Sequence, residues 1–432
     1  MRTVAFLGVV LAVLPGLALA DAAPPSIPDT PAGHALSGWL DAFNSGDGAR
    51  IDSFDGTHLP RLPHDQAMGA FAHSRGYELE SVEKSGRLWI IVRAKERANP
   101  KEVVVRLVVH PDNPAVNWWL SFEDLSPGAE AEQIALDAAE RDRVLESAAK
   151  LLDELYVFPN VGKKMAAALR KAQKRHTYHA ITDGQIFAWR LSDDLWATFH
   201  DGHLGVRFSR KVLPPEGPRP RTEISQVAQR LLDSNCNFER AEHLPSNIGY
   251  LKFDEFSDPA ICAPTAGAAM SFLANSDALI IDLRENHGGA AGMVAFIASY
   301  LFASPTHLND IYWRKANATV QAWTLPYVPG AKFTDKPVFV LTSKQTFSAA
   351  EDFCYALKNL KRATLVGETT GGGAHPVEGD RIDDHFSITV PVARSISPIT
   401  KTDWEGTGVE PDMKVPAADA LDEALRRARS RP

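Results

Sequence analysis

The spacing of apolar positions changes several times along this chain, and each change marks a new kind of structure. Leu36, Trp39, Leu40 and Phe43 recur at helical spacing over residues 34–43. Four short β-rich runs follow, at 77–82, 88–94, 103–110 and 116–122, separated by Ser85-Gly86, Asn99-Pro100 and Asp112-Asn113-Pro114. A helix leading into a four-strand meander predicts a small α+β domain over residues 34–126. Helical periodicity then returns at 134–155, 162–175 and 182–198, which predicts a helical bundle over 129–204. From 205 to 432 strand and helix alternate. Residues 205–208, 248–253, 278–283, 338–342, 363–366 and 386–392 read as strands, and 291–302, 348–360 and 417–428 as helices. Strands that are apolar without strict alternation, separated by helices, indicate an α/β domain with a largely buried sheet.

The first twenty residues have a different composition. Arg2, an apolar run over 4–19 and the small-residue end Ala18-Leu19-Ala20 predict a secretory signal peptide at 1–20. Pro15 and Gly16 interrupt the run, which is shorter than the roughly 20 residues a membrane span needs. The reading is therefore a mature chain without a stable membrane span, exported to the periplasm or secreted. Residues 21–33, with Pro24, Pro25, Pro28 and Pro31, read as an extended linker. The whole sequence has 432 residues, 44% hydrophobic and 23% charged, with a net charge of −8. That charge argues against nucleic acid as a partner. Three cysteines are too few for a disulfide scaffold, and either a Cys236–Cys262 pair or three free thiols fits the sequence.

Four segments carry candidate chemistry. In the run 338–353 an apolar strand ends in a polar turn, and Ser348 stands where a helix begins. A helix-capping serine is the plain reading of that segment alone. A nucleophile in the positive field of the helix end is the other. The second segment, Asp282 to Ala290, places Gly288-Gly289 between strand and helix, where backbone N–H groups could form an oxyanion hole or simply a turn. The third, Phe199-His200-Asp201-Gly202-His203, offers His203 as a general base or as a structural histidine. The fourth, Asp403 to Asp412, offers Glu405 as the acid that orients a base or as a surface carboxylate. His176, His179, His200 and His203 raise a metal alternative, which is set aside because no His-Glu-x-x-His helix accompanies them.

Taken together and in order, these segments resemble a superfamily of serine peptidases. Its members are the C-terminal processing (tail-specific) proteases, the tricorn protease core and the repeats of interphotoreceptor retinoid-binding protein. The resemblance is carried by Asn247 to Phe253, Asp282-Leu283-Arg284 with Gly288-Gly289, Thr346-Phe347-Ser348-Ala349-Ala350-Glu351, Gly367 to Gly372, and Trp404-Glu405-Gly406 with Gly408-Val409 and Pro411-Asp412. It implies a ClpP/crotonase-like catalytic domain over 205–432 and makes Ser348 the matching nucleophile. The processing proteases use a Ser/Lys dyad and insert a PDZ domain. Here Gly373 stands where that lysine would be, and residues 211–246 are too short for the insertion. Both differences point to the branch with a histidine base. The resemblance thus implies His203 as base, Glu405 as the orienting acid, and backbone N–H groups of Gly288, Gly289 and Ala349 as the oxyanion hole. Gly202 occupies the place of the tricorn serine that links base to acid, and His375, on the glycine-rich segment, is the rival base.

The N-terminal α+β domain is similar to the nuclear transport factor 2-like fold and would serve substrate recognition or packing. The expected function is an exported serine endopeptidase or carboxy-terminal processing enzyme, without cofactor or metal, acting on peptides or protein tails. Its oligomeric state is left open. The alternative is a non-catalytic binding protein for apolar small molecules or peptides on the same scaffold.

Overall fold

The computed structural model describes residues 25–58, 64–99, 101–110, 119–125, 136–215, 217 and 221–430. The predicted signal peptide, the turn over 112–114 and Trp118 lie outside them. The Pro-rich segment does not stay extended to residue 33. Helix α1 (Pro31–Asn44) begins inside it, because the Thr30 hydroxyl accepts the Gly33 N–H at 3.1 Å and Pro31 has no N–H to satisfy. Helices α2 (Gly48–His58) and α3 (His64–Ser74) follow. The antiparallel meander comes next: β1 (Tyr77–Ser85), β2 (Trp89–Glu96), β3 (Glu102–Val108) and β4 (Trp119–Leu125).

Alternation along these strands gives the sheet two buried faces. Ile90, Val92, Val103 and Val105 pack with Leu36, Trp39 and Phe43, whereas Ile91, Val104 and Val108 belong to the core of the next region. Trp119 stacks on Trp189 at 5.7 Å and donates its Nε1–H to Asp193 at 3.2 Å, so its role is packing.

That next region holds α4 (Ala138–Leu155), α5 (Pro159–Lys174) and α6 (Gly184–Thr198). The carboxylates of Asp137 and Asp183 cap α4 and α6 by accepting the N–H groups of Glu140 and Ile186. Strand β5 (Gly205–Phe208) leads to α7 (Arg221–Asp233), β6 (Phe238–Leu244), β7 (Ile248–Phe253), α8 (Pro259–Leu273), β8 (Ala278–Asp282) and α9 (Ala291–Ala298). Then come β9 (His307–Trp313), β10 (Ala318–Trp323), β11 (Val338–Thr342), α10 (Ala349–Asn359), β12 (Thr364–Gly367), β13 (Val377–Arg381), β14 (Phe386–Pro391), β15 (Ala393–Ile396), β16 (Met413–Lys414) and α11 (Ala420–Arg429).

Six strands form the principal sheet in the order β16-β12-β11-β8-β7-β6, parallel except for the β6–β7 pair. One face packs residues of α8, α9 and α10 against Leu251, Leu279, Ile281 and Val340. The other packs Ala420 and Ala424 of α11 against Tyr250, Ile280, Phe339 and Val366. With both faces covered, β8 and β11 are buried at every position, which is why their sequences run apolar without alternating.

The helical region is not a detached cap. Leu152, Tyr156 and Phe187 share a core with Phe386, Ile388 and Val390 of β14, and β14 pairs with β5. The Val157 N–H donates to Pro391 O at 2.8 Å, and Arg314 donates to the carbonyls of Asp153 and Tyr156. Between β5 and β6 stand α7 and a left-handed turn at Asn235-Cys236-Asn237. Cys236 and Cys262 are joined as a disulfide, leaving Cys354 as a buried free thiol. Among the described residues no helix is long and apolar enough to cross a membrane.

Candidate active site

The site forms where three chain segments distant in sequence meet at one end of the principal sheet. Strand β11 delivers Ser348 to the start of α10 with φ of 55° and ψ of −119°. Positive φ is costly for a serine and persists only where surroundings impose it. Here the surroundings are specific. The Ser348 N–H donates to Glu351 Oε2 at 2.9 Å and the Phe347 N–H donates to Asn286 O at 3.0 Å. Ser348 Oγ lies 3.1 Å from His203 Nε2, across 145 residues of sequence.

Glu351, fully buried in the first turn of α10, is part of the motif around Ser348, and the sequence alone assigns it no role. Its carboxylate accepts the Thr370 hydroxyl, the Gly372 N–H at 2.7 Å and the Gly373 N–H at 2.8 Å, besides the Ser348 N–H. Burial raises its pKa, and these hydrogen bonds oppose that rise. The signal that would have found it is a glutamate three residues after a helix-starting serine, the capping-box spacing.

Opposite Ser348 runs the glycine pair. A Cβ on Gly288 would stand 2.7 Å from Ser348 Cβ and 2.9 Å from Ala349 N, so only glycine permits this approach. The loop is stitched to the segment after β7 by His287 N–H to Asp254 O (3.0 Å), Phe256 N–H to Gly288 O (2.6 Å) and Ala290 N–H to Phe256 O (2.7 Å). The backbone N–H groups of Gly289 and Ala349 have no acceptor among the described residues. Gly288 departs from the expectation for the oxyanion hole. Its N–H is already engaged by Asn286 Oδ1 at 2.9 Å, because the side chain folds back over the turn.

His203 comes from the turn after α6. Its backbone N–H donates to Asp201 Oδ1 at 3.0 Å, and its ring lies 4.6 Å from that of Phe347. Burial pulls its pKa down to about 4, against the partial pull of Asp201, so the ring is neutral at ordinary pH. Gly373, at the place expected for a lysine, has no side chain for a simple reason: a Cβ there would lie 2.6 Å from His203 Cε1. The glycine admits the imidazole.

Behind His203 lies a second polar cluster. Asp201 Oδ2 accepts the Tyr156 hydroxyl at 2.9 Å and His375 Nδ1–H at 2.7 Å. Burial is the largest single influence on the Asp201 carboxyl and would raise it, but the hydrogen bond and charge of His375, with the His203 N–H and charge, together outweigh it and the pKa is lowered. Glu405 Oε2 accepts the Ala374 N–H at 2.6 Å and lies 3.4 Å from His375 Nδ1. Burial, then the Asp201 charge, pushes Glu405 up to about 8. Glu405 makes no direct hydrogen bond to His203 among the described residues, which answers a link the sequence left open. The chain carries it to Ala374 and His375 instead. His375, the rival base, bonds Asp201 and makes no contact with Ser348 among the described hydrogen bonds. His203 Nδ1, His375 Nε2 and Glu405 Oε1 are buried and have no partner among the described residues.

The cluster atoms of Asp201, His375 and Glu405 lie within 4.8 Å of one another, a spacing a metal ion could use, yet each already serves one of these hydrogen bonds. A second such group, Glu239, Asp254 and Glu285, holds the Lys252 ammonium, 2.7 Å from Glu239 and 2.5 Å from Glu285. Of the other histidines considered for metal, His200 packs edge-on against Trp196 and His179 bonds the carbonyl of His176.

Residues 247–415 match the family model described as peptidase family S41, which spans the glycine pair, Ser348, Glu351 and Glu405. Residues 129–241 match the N-terminal domain of peptidase S41 in eukaryotic IRBP, which contains His203. The chain is a member of the S41 peptidase superfamily. Among curated S41 relatives, it is 28% identical to carboxyl-terminal-processing peptidase 2, chloroplastic, of Arabidopsis thaliana over 48% of this chain and 38% of that protein. It is 29% identical to the carboxyl-terminal-processing protease of Synechocystis sp. over 46% of this chain and 43% of that protein. The matched region thus spans less than half the length of these relatives. A solved lipoprotein structure from Streptococcus agalactiae aligns with a TM-score of 0.48 at 17% identity, covering 68% of this chain and 97% of that one.

Proposed function

We propose that this S41 member is an exported serine peptidase that cleaves peptides or protein tails through an acyl-enzyme on Ser348, with His203 as base. The observation that carries the reading is the 3.1 Å contact between Ser348 Oγ and His203 Nε2, made by a serine held at positive φ beside two free backbone donors. His203 Nε2 takes the Ser348 proton as Oγ attacks the peptide carbonyl. The N–H groups of Gly289 and Ala349 receive the oxyanion, each contributing on the order of 3 kcal/mol to lowering the barrier. The imidazolium then returns its proton to the departing amine, and water, deprotonated by the same nitrogen, releases the acyl group. Asp201, whose charge acts on His203, favours the transient imidazolium. Glu405 acts through the His375–Asp201 pair rather than on the base. The fold is read as ClpP/crotonase-like after residue 205, with a helical bundle at 129–204 and a nuclear transport factor 2-like domain at 34–126.

The test is labelling of the purified protein with a serine-directed fluorophosphonate beside Ser348→Ala, analysed by intact mass. One adduct on the parent and none on the variant is the expected result. A folded parent that takes no adduct would overturn the peptidase reading in favour of the binding protein for apolar ligands.

A further inference from the structure

The chain carries a net charge of −8, yet residues 155–182 hold six Lys or Arg and no Asp or Glu. Helix α5 occupies the middle of that stretch. At about 100° per residue, Lys163, Lys164, Arg170, Lys171, Lys174 and the C-cap Arg175 fall on one arc of about 140°, shared only with Asn160 and Ala167. The opposite side carries Met165, Ala166 and Leu169, which are buried in the core of the helical region. Of the six cations only Arg170 is paired, with Glu146 of α4 at 2.8 Å. Lys163, Lys164, Lys171, Lys174 and Arg175 are exposed and make no ion pair among the described residues.

Local helix energetics do not account for this face. Cations stabilise a helix when acids stand three or four residues away, but α5 has no acid, and Arg170–Lys174 and Lys171–Arg175 are destabilising like-charge pairs at i, i+4. Cations near a helix C-terminus answer its dipole, which explains Lys171 and Lys174. Lys163 and Lys164 stand towards the other end, where neither an acid nor a side-chain cap is present. The face therefore repels itself, and an external array of anions relieves that repulsion. Its cations spread over about 18 Å of helix axis, with no exposed aromatic ring among them on which a nucleic-acid base could stack, since Tyr156 and Tyr178 are buried. A lipid bilayer suits such a face, because its phosphates move laterally and gather under scattered charges without a preset register.

We infer that the outer face of α5 docks this protein reversibly on an anionic phospholipid surface through Lys163, Lys164, Lys171, Lys174 and Arg175. The apolar side of the helix is already buried against its own core, so nothing is inserted into the bilayer and the attraction is one of charge, screened by salt. The docking face is independent of the peptidase reading, since it involves none of the residues around Ser348.

The probe is a set of vesicles made of phosphatidylcholine alone or with about 30% phosphatidylglycerol, and binding of the purified protein is read by co-sedimentation. At about 50 mM salt the anionic vesicles should bind at least tenfold, roughly, more tightly than the neutral ones, and about 300 mM salt should remove most of that difference. Lys163→Gln, Lys164→Gln, Lys171→Gln and Lys174→Gln together should abolish the preference while keeping good helix formers in place. A thermal midpoint at or above the parent's in that variant ties the loss to the face rather than to unfolding. The same change at four other exposed lysines, Lys95, Lys211, Lys315 and Lys401, alters net charge equally and should leave the preference intact. Equal binding to the two kinds of vesicle, a preference that survives the α5 changes, or one lost equally in the control would each overturn the docking face. So would tighter binding to a DNA duplex of random sequence than to the anionic vesicles at the same salt, which would assign the face to nucleic acid.

Discussion

Two buried carboxylate clusters flank Ser348, and they are built on opposite terms. Around Glu351 one carboxylate meets donors from Ser348, Thr370, Gly372 and Gly373, and neither of its oxygens is left over. Around Asp201 two carboxylates and a histidine share the Tyr156 hydroxyl, the His203 N–H and the Ala374 N–H, and buried atoms of His375 and Glu405 remain unpartnered. The first arrangement holds a backbone shape, because each donor would become a buried unsatisfied group if the acid left. The second holds charge in balance, with Asp201 lowered and Glu405 raised by their surroundings. Geometry is kept on the nucleophile side and titration on the base side.

The sharpest way to break that contrast is to remove each acid in turn. Glu351→Ala should have the largest effect. It strands several buried donors at about 1–3 kcal/mol each and frees Ser348 to leave its positive φ. Thermal unfolding should show a loss of several kcal/mol, and turnover should fall at least a hundredfold. Near-parental activity in that variant would mean that the strained serine is held by the Gly288 loop alone.

Asp201→Asn should come next. The side chain still accepts the His203 N–H, so the fold persists, but the charge that favours the imidazolium is gone. A loss of roughly tenfold in kcat/KM is expected, since one nearby charge is worth about a pKa unit. The acid limb should also move to lower pH, and a limb left unmoved would assign Asp201 to structure only.

The parent's own acid limb is the third check. A neutral His203 is the required form, and burial puts its pKa at about 4, so kcat/KM should hold down to that pH rather than fall near 6.5. A limb near 6.5 would place the base in a solvated setting that this geometry does not provide.

Glu405→Gln should matter least at neutral pH, where the acid is already protonated. Its effect lies in the pH dependence of stability. A pKa raised to about 8 in the folded chain, above the ordinary value of roughly 4.3, contributes stability that is full below the unfolded value. That contribution is lost as pH rises through 8. The parent's Tm should therefore fall further between pH 6 and 9 than that of Glu405→Gln, and parallel curves would show that Glu405 is ionised and paired.

Much of the architecture was legible as pattern. The meander, the helices at 138–155 and 184–198, and the buried strands β7, β8 and β11 all follow from periodicity and apolar runs. Helix α8 was not, because its Ala- and Gly-rich sequence, with Pro264 inside, is apolar on all sides and shows no stripe. Strand β10 escaped because it is an exposed edge strand with little apolar pattern. Ser348 was visible as a serine between strand and helix, though its local signal favoured a cap.

The sequence by itself determined the local terms: where strands end, that Ser348 opens a helix, and that Gly288-Gly289 leaves room beside it. Those are short-range matters of backbone sterics and apolar spacing. Tertiary structure decided the pairings. His203 meets Ser348 across 145 residues and Asp201 meets His375 across 174, while Glu405 is carried to Ala374 instead of the base. It also decided that Gly288 is not a free donor. Hydrogen bonds and burial between distant segments depend on how the helical region docks on β14, and no local pattern encodes that distance.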